Sequence, residues 1–428
     1  MRRSLVISLI GLASIAATCV SASAASSGLS AGPINVGVVA PFSGPAAEFG
    51  TLLSAPCIAS TDLINKSGGI LGHKLQCTSV DDTGDPADAV PNVTRAIGTI
   101  SNFVMAEGLE TNTAATTIPL LNGAHIPFVT AAGLTAYDKT KDKYFWRLTP
   151  ADDANGAAMI AYAAQKNYKK VAVVFEDNST DTGNVPGINK AAPKLGVKLA
   201  VNTTIPADAT SYSSLAAKVI ADHPQALVFD ADPQTTATFL SNYSQLNNGK
   251  LPPMITATDS LTPDWYSAVS KAVGKAYIFH KVALVGSYFS QSTAAFTVYK
   301  NALLADPKTH GIANTLASVG PPASIYDGLN ILALAMVMAK SAKGPVFNSD
   351  VIKVTQAHAG AVVVDSFAAG EKALAKGKRI QYVGVLGSVT FNQFHNFAGA
   401  FAADVFTGAS TSRRSALISA SEISKLLG

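Results

Sequence analysis

Short β-branched runs alternate with helical stretches along most of the chain, and this alternation limits the fold more than any other feature. The runs INVGVVA (34–40), KVAVVFE (170–176) and ALVF (226–229) are typical of buried strands. Strands that alternate with helices indicate βαβ units, and therefore parallel sheets covered on both faces. With 428 residues, two lobes are expected rather than one continuous sheet.

Composition excludes two broad classes of protein. Hydrophobic residues make up 48% of the chain and charged residues 14%, so the chain can bury large cores and is not a disordered protein. The net charge is +4, and no Lys/Arg cluster is interleaved with aromatic residues. We therefore expect no nucleic-acid partner.

The first 24 residues are predicted to be a signal peptide. Arg2 and Arg3 precede an apolar run at 5–20, and the sequence ASA at 22–24 matches the small-x-small cleavage pattern. Export with cleavage after Ala24 is therefore expected, with lipid attachment at Cys19 or a retained signal anchor as the alternatives. Later apolar runs stay short of the ~18 residues that a membrane span requires, so the mature chain is expected to be soluble.

Two cysteines follow the predicted cleavage site, Cys57 in the first helix and Cys77 in the strand after it. In an oxidising, exported setting the first interpretation is a disulfide, and the alternative is a pair of buried free thiols. Because no third cysteine follows the cleavage site and few histidines lie nearby, we do not expect a zinc site. We expect no metal and no other cofactor.

The glycine-rich segment NKSGGILGHKLQCTSVDDTGDP (65–86) could be taken for a phosphate or calcium loop. A phosphate loop requires glycines between a strand and the start of a helix, whereas these glycines follow a helix and precede a strand. The acidic run at 81–85 lacks the alternating frame and final Glu of a calcium loop. The segment is therefore predicted to be a connector.

An α/β hydrolase is the enzyme class that this pattern of strands and helices could also accommodate. We find no G-x-S-x-G elbow between a strand and a helix, and the seven histidines show no H-x-x-x-H spacing. We therefore expect the chain not to be an enzyme.

Three motifs near the start carry a resemblance to a known family. INVGVVAPFSGPAAEFG (34–50), INKSGGILGHKLQ (64–76) and DDTGDPADAV (81–90) resemble the start of the extracytoplasmic solute-binding proteins of ABC importers. The similarity is to the branched-chain amino-acid (Leu/Ile/Val-type) group. Later segments extend it over about residues 33 to 400: HIPFVTAAG (125–133), YFWRLTPADDANG (144–156), SIYDGLNILALAMVMAK (324–340) and VGVLGSVTFNQFHN (383–396).

The resemblance implies an α/β fold of the type I periplasmic-binding class, with two doubly wound parallel-sheet lobes joined by a hinge of three crossovers. Solute would bind in the cleft between the lobes, at the carboxyl ends of strands. The implied division is lobe 1 at 33–149 and 283–390, lobe 2 at 150–282 and 391–410, and a helical tail at 411–428 that the resemblance does not cover.

The same resemblance implies a function. The protein would capture a small solute outside the cytoplasmic membrane by hinge closure, act as a monomer, and deliver the solute to the permease subunits of an ABC transporter. The alternative is a sensor that passes its signal to a membrane receptor. The sequence does not separate the two.

In this family a helix N-terminus in lobe 1 presents small hydroxyl residues to the ligand carboxylate. The matching residues are Glu110, Thr111 and Asn112, and exposed backbone N–H groups with the helix dipole are suited to an anion. An ionised Glu110 would repel that anion unless it points away or pairs with a ligand cation. The alternative is that Thr111 caps the helix and Glu110 is solvated.

The next loop matches the one that usually binds the ligand ammonium through a carbonyl and a threonine hydroxyl. Its residues here are Ala132, Gly133, Leu134 and Thr135, with leucine at the aligned threonine position. Phe49 matches an aromatic that walls the pocket, and its alternative role is a core contact of the first helix.

Lobe 2 departs further from the family. Thr182 lies in a run that replaces an aromatic-Gly pair, and Asp232 lies where a second aromatic usually covers the ligand. Asp259 is the strongest candidate for an ammonium partner, whereas Asp232 could merely cap a helix. Because aromatic cover is lost and acid is gained, we expect a polar amino acid, an amide, a polyol or an amine rather than a branched-chain amino acid.

Overall fold

The computed structural model describes residues 28–44 and 47–428. The predicted cleavage site after Ala24 and the alternative lipid site at Cys19 lie outside the described residues.

The strands follow the predicted alternation with helices. They are β1 Ile34–Ala40, β2 Leu75–Asp81, β3 Phe103–Gly108, β4 Phe128–Thr130, β5 Phe145–Arg147, β6 Lys170–Glu176, β7 Lys198–Ile205, β8 Ala226–Asp230, β9 Met254–Ala257, β10 Val282–Ser287, β11 Val362–Val364, β12 Ile380–Gly384, β13 Gly387–Ser388, β14 Phe401–Gly408 and β15 Thr411–Ile418.

The helices lie between these strands and after them. They are α1 Glu48–Lys66, α2 Pro86–Thr99, α3 Thr111–Gly123, α4 Asp152–Gln165, α5 Ser179–Thr182, α6 Val185–Lys194, α7 Ser213–Ala221, α8 Pro233–Leu246, α9 Pro263–Val273, α10 Lys275–Lys281, α11 Ala294–Ala305, α12 Ala313–Ser318, α13 Gly320–Ala339, α14 Gly344–Phe347, α15 Asp350–Thr355, α16 Phe367–Ala375 and α17 Ala420–Leu427.

Two large sheets confirm the predicted two-lobe α/β architecture. The first has five parallel strands in the order β2-β1-β3-β4-β5. The second has seven strands in the order β15-β14-β10-β9-β8-β6-β7, in which β14 and β15 are antiparallel and the others parallel. A small sheet, β11-β12-β13, completes the first lobe, because α15 and α16, which contact it, also pack on α13 of that lobe.

Each large sheet is buried on both faces, as the continuous apolar runs predict. In β1, Val38 packs into one core and its neighbour Val39 into another on the opposite face. In β6, Val173 and Val174 divide in the same way between the two cores of the second lobe. This is the arrangement expected when successive side chains point to opposite faces of a sheet that helices cover on both sides.

α13 is the one helix of the described residues that is long and apolar enough to cross a membrane. However, 83% of its apolar window is buried inside the fold, and residues such as Leu329 and Leu332 belong to the core of the first lobe. The apolar sequence of α13 is therefore accounted for by packing.

The second and third passages between the lobes differ from the predicted boundaries. β10 pairs with β9 and β14, so residues 283–287 belong to the second lobe, and the predicted return to lobe 1 at 283 is wrong. Asn396 pairs with Arg147 at the end of β5, so the predicted start of lobe 2 at 391 is wrong as well. Both errors have the same cause, because only long-range strand pairing decides which sheet a strand joins.

The predicted helical tail at 411–428 is also corrected. Residues Thr411–Ile418 form β15, which pairs antiparallel with β14 at the edge of the second sheet. Only α17 is helical, and it packs on α4 and α6. The end of the chain is therefore part of the second lobe.

The glycine-rich segment is a connector, as predicted. α1 ends at Lys66, and Ile70 and His73 exchange backbone hydrogen bonds in a tight turn before β2. Gly69 has a φ of +88°, and a Cβ there would overlap the carbonyl oxygen of His73, so the turn requires glycine.

The predicted disulfide is confirmed. It joins Cys57 of α1 to Cys77 of β2, with Cα atoms 6.2 Å apart. The bond therefore ties the first helix to the strand at the edge of the first sheet.

Candidate functional site

A cleft separates the two lobes, and it has two adjoining compartments of about 200 and 180 Å³. It lies at the carboxyl ends of the parallel strands of both sheets, where open α/β sheets bind ligands. The wall that the compartments share contains Phe49, Thr180, Asp230, Asp259 and Thr262.

Much of the first compartment is apolar. Leu52 and Val319 come from the first-lobe side and Val285 and Phe401 from the second sheet. Threonine hydroxyls and Asp152 complete its lining. An apolar group with a polar end would therefore fit this compartment.

The second compartment is acidic. Together the two compartments are lined by six carboxylates: Asp152, Glu176, Asp181, Asp230, Asp232 and Asp259. Among the described residues that line either compartment there is no Lys, Arg or His. No group of His, Cys, Asp and Glu in the described part of the chain is arranged to hold a metal ion.

Three neighbouring parallel strands bring these acids together. Glu176 is the last residue of β6 and Asp230 the last residue of β8, while Asp259 follows the end of β9 by two residues. The carboxyl ends of β6, β8 and β9 lie side by side because these strands are adjacent in the sheet.

The acids are partly satisfied within the protein. Asp230 accepts hydrogen bonds from the Thr256 hydroxyl at 2.8 Å and the Ser260 hydroxyl at 3.5 Å. Burial, reinforced by the neighbouring Asp259, raises the pKa of both Asp181 and Asp230 well above the ordinary range. Neutralising this cluster by a cation would lower the electrostatic energy of the face.

Asp259 is exposed to the cleft and yet closely surrounded by protein. It lines both compartments, and the surrounding protein raises its pKa by desolvation. Water therefore reaches the Asp259 carboxylate in this structure. A solute bound at Asp259 would displace that water and would have to supply a hydrogen-bond donor in its place.

The lobe 1 side of the cleft has its anion site already filled. Glu110 is the N-cap of α3, and its carboxylate accepts hydrogen bonds from the backbone N–H groups of Asn112 at 2.7 Å and Thr113 at 3.1 Å. Burial raises the pKa of Glu110 to about 7 in spite of these bonds. The protein's own carboxylate thus occupies the helix terminus where the resemblance implies a ligand carboxylate.

The loop beside this helix is also satisfied internally. Gly133 donates its backbone N–H to the Thr111 hydroxyl at 3.2 Å, and Ala132 donates its own to the Thr130 hydroxyl at 2.9 Å. Ala131 donates to the carbonyl of Gly108 at 2.6 Å. These backbone donors are therefore already committed to partners within the protein.

Asp152 lies where the two lobes meet. Its backbone N–H donates to the Gly133 carbonyl at 2.8 Å, and a Cβ on either Gly133 or Gly183 would overlap its carboxylate. Its Oδ2 atom is buried and has no hydrogen-bond partner among the described residues. Desolvation raises the pKa of Asp152 to about 7, although nearby Arg147 opposes the shift.

The structure brings five of the predicted binding residues to the cleft. Phe49 and Asp259 line both compartments, Thr111 lines the first, and Asn112 and Asp232 line the second. Ligand contact for these residues stays a prediction.

The remaining predicted binding residues do not line either compartment. Ala132 is buried in the core, Leu134 packs beside it, and Thr135 begins an exposed turn. The Thr182 hydroxyl donates to the carbonyl of Asn178 at 2.6 Å. Gly133 and Glu110 have the internal roles described above.

Several cleft residues escaped the sequence analysis. Asp152, Glu176, Asp181 and Asp230 were not among the predicted binding residues, although two of them end strands of a parallel sheet, a position that could have drawn attention to them. Trp265 lines the second compartment, is 2% exposed, and has an indole N–H without a partner among the described residues.

Curated relatives cover part of the chain. A Leu/Ile/Val-binding protein homolog of Brucella melitensis is 29% identical over 44% of this chain and 51% of the relative. A leucine-, isoleucine-, valine-, threonine- and alanine-binding protein of Pseudomonas aeruginosa is 24% identical over 46% and 52%, respectively. The chain thus matches about half the length of these relatives.

Solved structures show the same fold over most of the chain. A leucine-binding protein of Thermotoga maritima has a TM-score of 0.70 at 14% identity, covering 90% of this chain and 99% of that one. A solute-binding protein of an R. palustris ABC transporter, crystallised with benzoate, has a TM-score of 0.68 at 17% identity, covering 91% and 97%.

The family model described as "Periplasmic binding protein" matches residues 33–294, which is more than half of the chain. That match includes all of the first sheet and most of the second, with the strand ends that carry Glu176, Asp230 and Asp259. The chain belongs to the periplasmic binding protein family.

Proposed function

We propose that the protein is the solute-binding receptor of an ABC importer. It captures a small polar solute between its lobes and delivers it to permease subunits in the membrane. The observation that supports this proposal best is the cleft itself, in which the lobes present Thr111 and Asp259 to one cavity.

Binding would draw the two lobes together. The first lobe contributes Phe49 and Asn112 to the acidic compartment and the second contributes Asp232 and Trp265, so a solute there would contact both lobes at once. A ligand that gains contacts in the closed form shifts the population toward closure. The closed form is then the species that a permease would recognise.

Export, a monomeric state and docking on a permease belong to the same proposal. The named relatives are Leu/Ile/Val-type binding proteins, and the named structural neighbours include a leucine-binding protein and a benzoate-bound one. These ligands differ in size and charge, so the likeness supports a receptor for small solutes rather than one particular solute.

A solute screen on the mature chain, residues 25–428, tests the proposal. The unfolding temperature would be measured with amino acids, amides, amines, polyols and carboxylates, because a ligand at ~100 times its Kd stabilises the folded state by about 2.7 kcal/mol. We expect at least one class to stabilise the protein. A screen in which no class does so, with no solute consumed or altered, would contradict the proposal, and turnover of a solute would favour an enzyme.

Tryptophan fluorescence can report on solute binding in the cleft. The chain has two tryptophans, Trp146 in the first lobe and Trp265 in the acidic compartment. In a Trp146→Phe variant the remaining fluorescence comes from Trp265, and we expect a bound solute to change its intensity or wavelength. The matched Trp265→Phe variant should lose most of that signal.

A further inference from the structure

The two sides of the cleft differ in what they can offer an organic ion. The described lining residues include six carboxylates and no basic side chain. A free amino acid carries a carboxylate as well as an ammonium group, and that carboxylate would enter this acidic space. Its presence would be unfavourable unless donors compensate it.

The backbone donors at the start of α3 and in the loop beside it, which could compensate a ligand carboxylate, are already in use. Glu110 takes the N–H groups of Asn112 and Thr113 at the start of α3, and Thr111 takes the N–H of Gly133. The Glu110 carboxylate therefore accepts the hydrogen bonds that a ligand carboxylate would otherwise accept at this helix terminus.

The apolar compartment adds a second requirement. It adjoins the acidic one through a wall that contains Asp230 and Asp259. A ligand with its ammonium at this wall could place an apolar group against Leu52, Val285 and Phe401. The buried, unpartnered Oδ2 of Asp152 lies in the lining of the same compartment and is an acceptor for a further N–H.

Resting on the receptor function proposed above, we propose that the solute is an organic amine without a carboxylate, its ammonium bound between Asp259 and Asp230 and its apolar part in the first compartment. The structure thus assigns Glu110 the task of excluding the carboxylate that amino acids carry. A neutral or anionic solute would leave the acidic compartment unmatched.

Matched pairs of compounds test the proposal directly. 3-Methylbutylamine is leucine without its carboxylate, and 2-phenylethylamine is phenylalanine without its carboxylate. Benzylamine and benzoate differ mainly in the sign of their charge. By calorimetric titration at pH 7.5 and low salt, we expect each amine to bind at least ~10-fold more tightly than its partner, since charge-assisted hydrogen bonds differ by more than 1.4 kcal/mol from unmatched contacts.

Two variants assign the effect to residues. Asp259→Asn should weaken amine binding at least ~10-fold, whereas Asp62→Asn, at an exposed position of α1, should leave it unchanged. Glu110→Ser keeps a helix-capping residue but removes the internal carboxylate. In that variant the preference for 3-methylbutylamine over leucine should fall at least ~3-fold, through tighter binding of leucine.

The outcomes separate this inference from the receptor function. If leucine, benzoate or a neutral polyol binds as tightly as the amines, or if only such a compound binds, the amine proposal is overturned and the receptor function stands. Amine affinity that survives Asp259→Asn also overturns it. If neither these compounds nor the wider solute screen stabilises the folded chain, both proposals fail. Thermal unfolding of each variant establishes that it is folded.

Discussion

The two faces of the cleft differ in how their polar groups are satisfied: those of lobe 1 are hydrogen-bonded within the lobe, whereas lobe 2 gathers several acids. On the lobe 1 face the helix terminus, the loop after β4 and the acid Asp82 are all hydrogen-bonded within the lobe, Asp82 through the Thr113 hydroxyl at 2.7 Å. On the lobe 2 face Asp259 lies close enough to Asp181 and Asp230 to add to the rise that burial causes in their pKa.

This difference shows that one fold can keep a binding position while its chemistry changes. The carboxyl ends of the strands are where open α/β sheets bind ligands, and the α3 terminus is where the resemblance implies a ligand carboxylate. The Glu110 side chain occupies the backbone N–H groups at the α3 terminus, so that these groups no longer face a ligand anion. Among the described lining residues, no basic side chain matches the acids of the second face.

Titration should give the largest effect. The folded chain retains protons on Glu110 and Asp152, whose pKa values are raised from 4.5 and 3.8 to about 7, whereas the unfolded chain has released them. The free energy of unfolding of the solute-free protein should therefore fall as pH rises from about 4.5 to 7, by about 1.4 kcal/mol per pH unit for each extra proton.

Urea denaturation at pH 5 and pH 7 would measure this dependence. Glu110→Gln, which removes a titrating group from the lobe 1 face, should make the free energy of unfolding depend less on pH. Asp259→Asn should do the same for the lobe 2 face. A stability that rises over the same interval would show that neither face holds protons in the folded state. Amine affinity should change in the opposite direction and increase with pH, since the acids must be ionised to bind a cation.

Removing the disulfide should distinguish the lobes by stability. Cys57 and Cys77 are both in the first lobe, and their separation of 20 residues gives an expected loss of about 3 kcal/mol on Cys57→Ser/Cys77→Ser substitution. Trp146 and Trp265 report on the first and second lobes, respectively. We expect the Trp146 transition to shift to lower denaturant while that of Trp265 moves less, and equal shifts would mean that the lobes unfold as one unit.

Asp259→Asn should have two effects of opposite sign. Amine affinity should fall by about 10- to 100-fold, because a charged hydrogen bond contributes about 1.5–3 kcal/mol. The solute-free protein should become more stable, since Asp181 and Asp230 lose a repelling neighbour. Thr111→Val on the opposite face is the comparison, and an equal loss of affinity there would contradict the asymmetry of the two faces.

Helix caps on the two faces should give the smallest effect. Glu110→Ala removes a cap that accepts two backbone N–H groups, and Thr262→Ala removes one that accepts from Trp265 at 3.2 Å. Each should reduce the free energy of unfolding by about 1 kcal/mol in urea denaturation. Glu110→Ser should restore much of the loss, which would identify the effect as capping. No loss in Glu110→Ala would mean that its carboxylate is not committed to α3.

Local features of the chain were predictable because they depend on near neighbours. The N-cap of α2 at Asp85, the end of α1 near Ser67 and the connector at Gly69 all follow from residues within one or two turns. The disulfide was predictable because the setting and the two elements favour it. The connector and the disulfide agree with the sequence analysis.

Features that depend on distant parts of the chain were missed. The run TSRRSALI reads as part of an amphipathic helix until β14 is available to pair with it. The sheet to which β10 belongs is fixed by its neighbours and not by its own residues. The acidic compartment joins residues from Phe49 to Trp265, and no local motif shows that they meet.

Glu110 illustrates a third limit. The same four residues, ETNT at 110–113, permit a side chain that reaches a ligand or one that folds back on α3. Two short hydrogen bonds decide between them, and the energy difference is that of one cap rather than of the whole fold.

The two ends of the described chain are attached to different lobes, and this has a practical consequence for measurements in solution. Near one end of the described chain, Ser30 is hydrogen-bonded to Asn102 of the first lobe. At the other end, the Lys194 side chain holds the carbonyl of Lys425 at 3.0 Å on the second lobe. Dyes attached at these two ends would therefore be on different lobes. A change in the efficiency of energy transfer between them would report solute binding without any label inside the cleft.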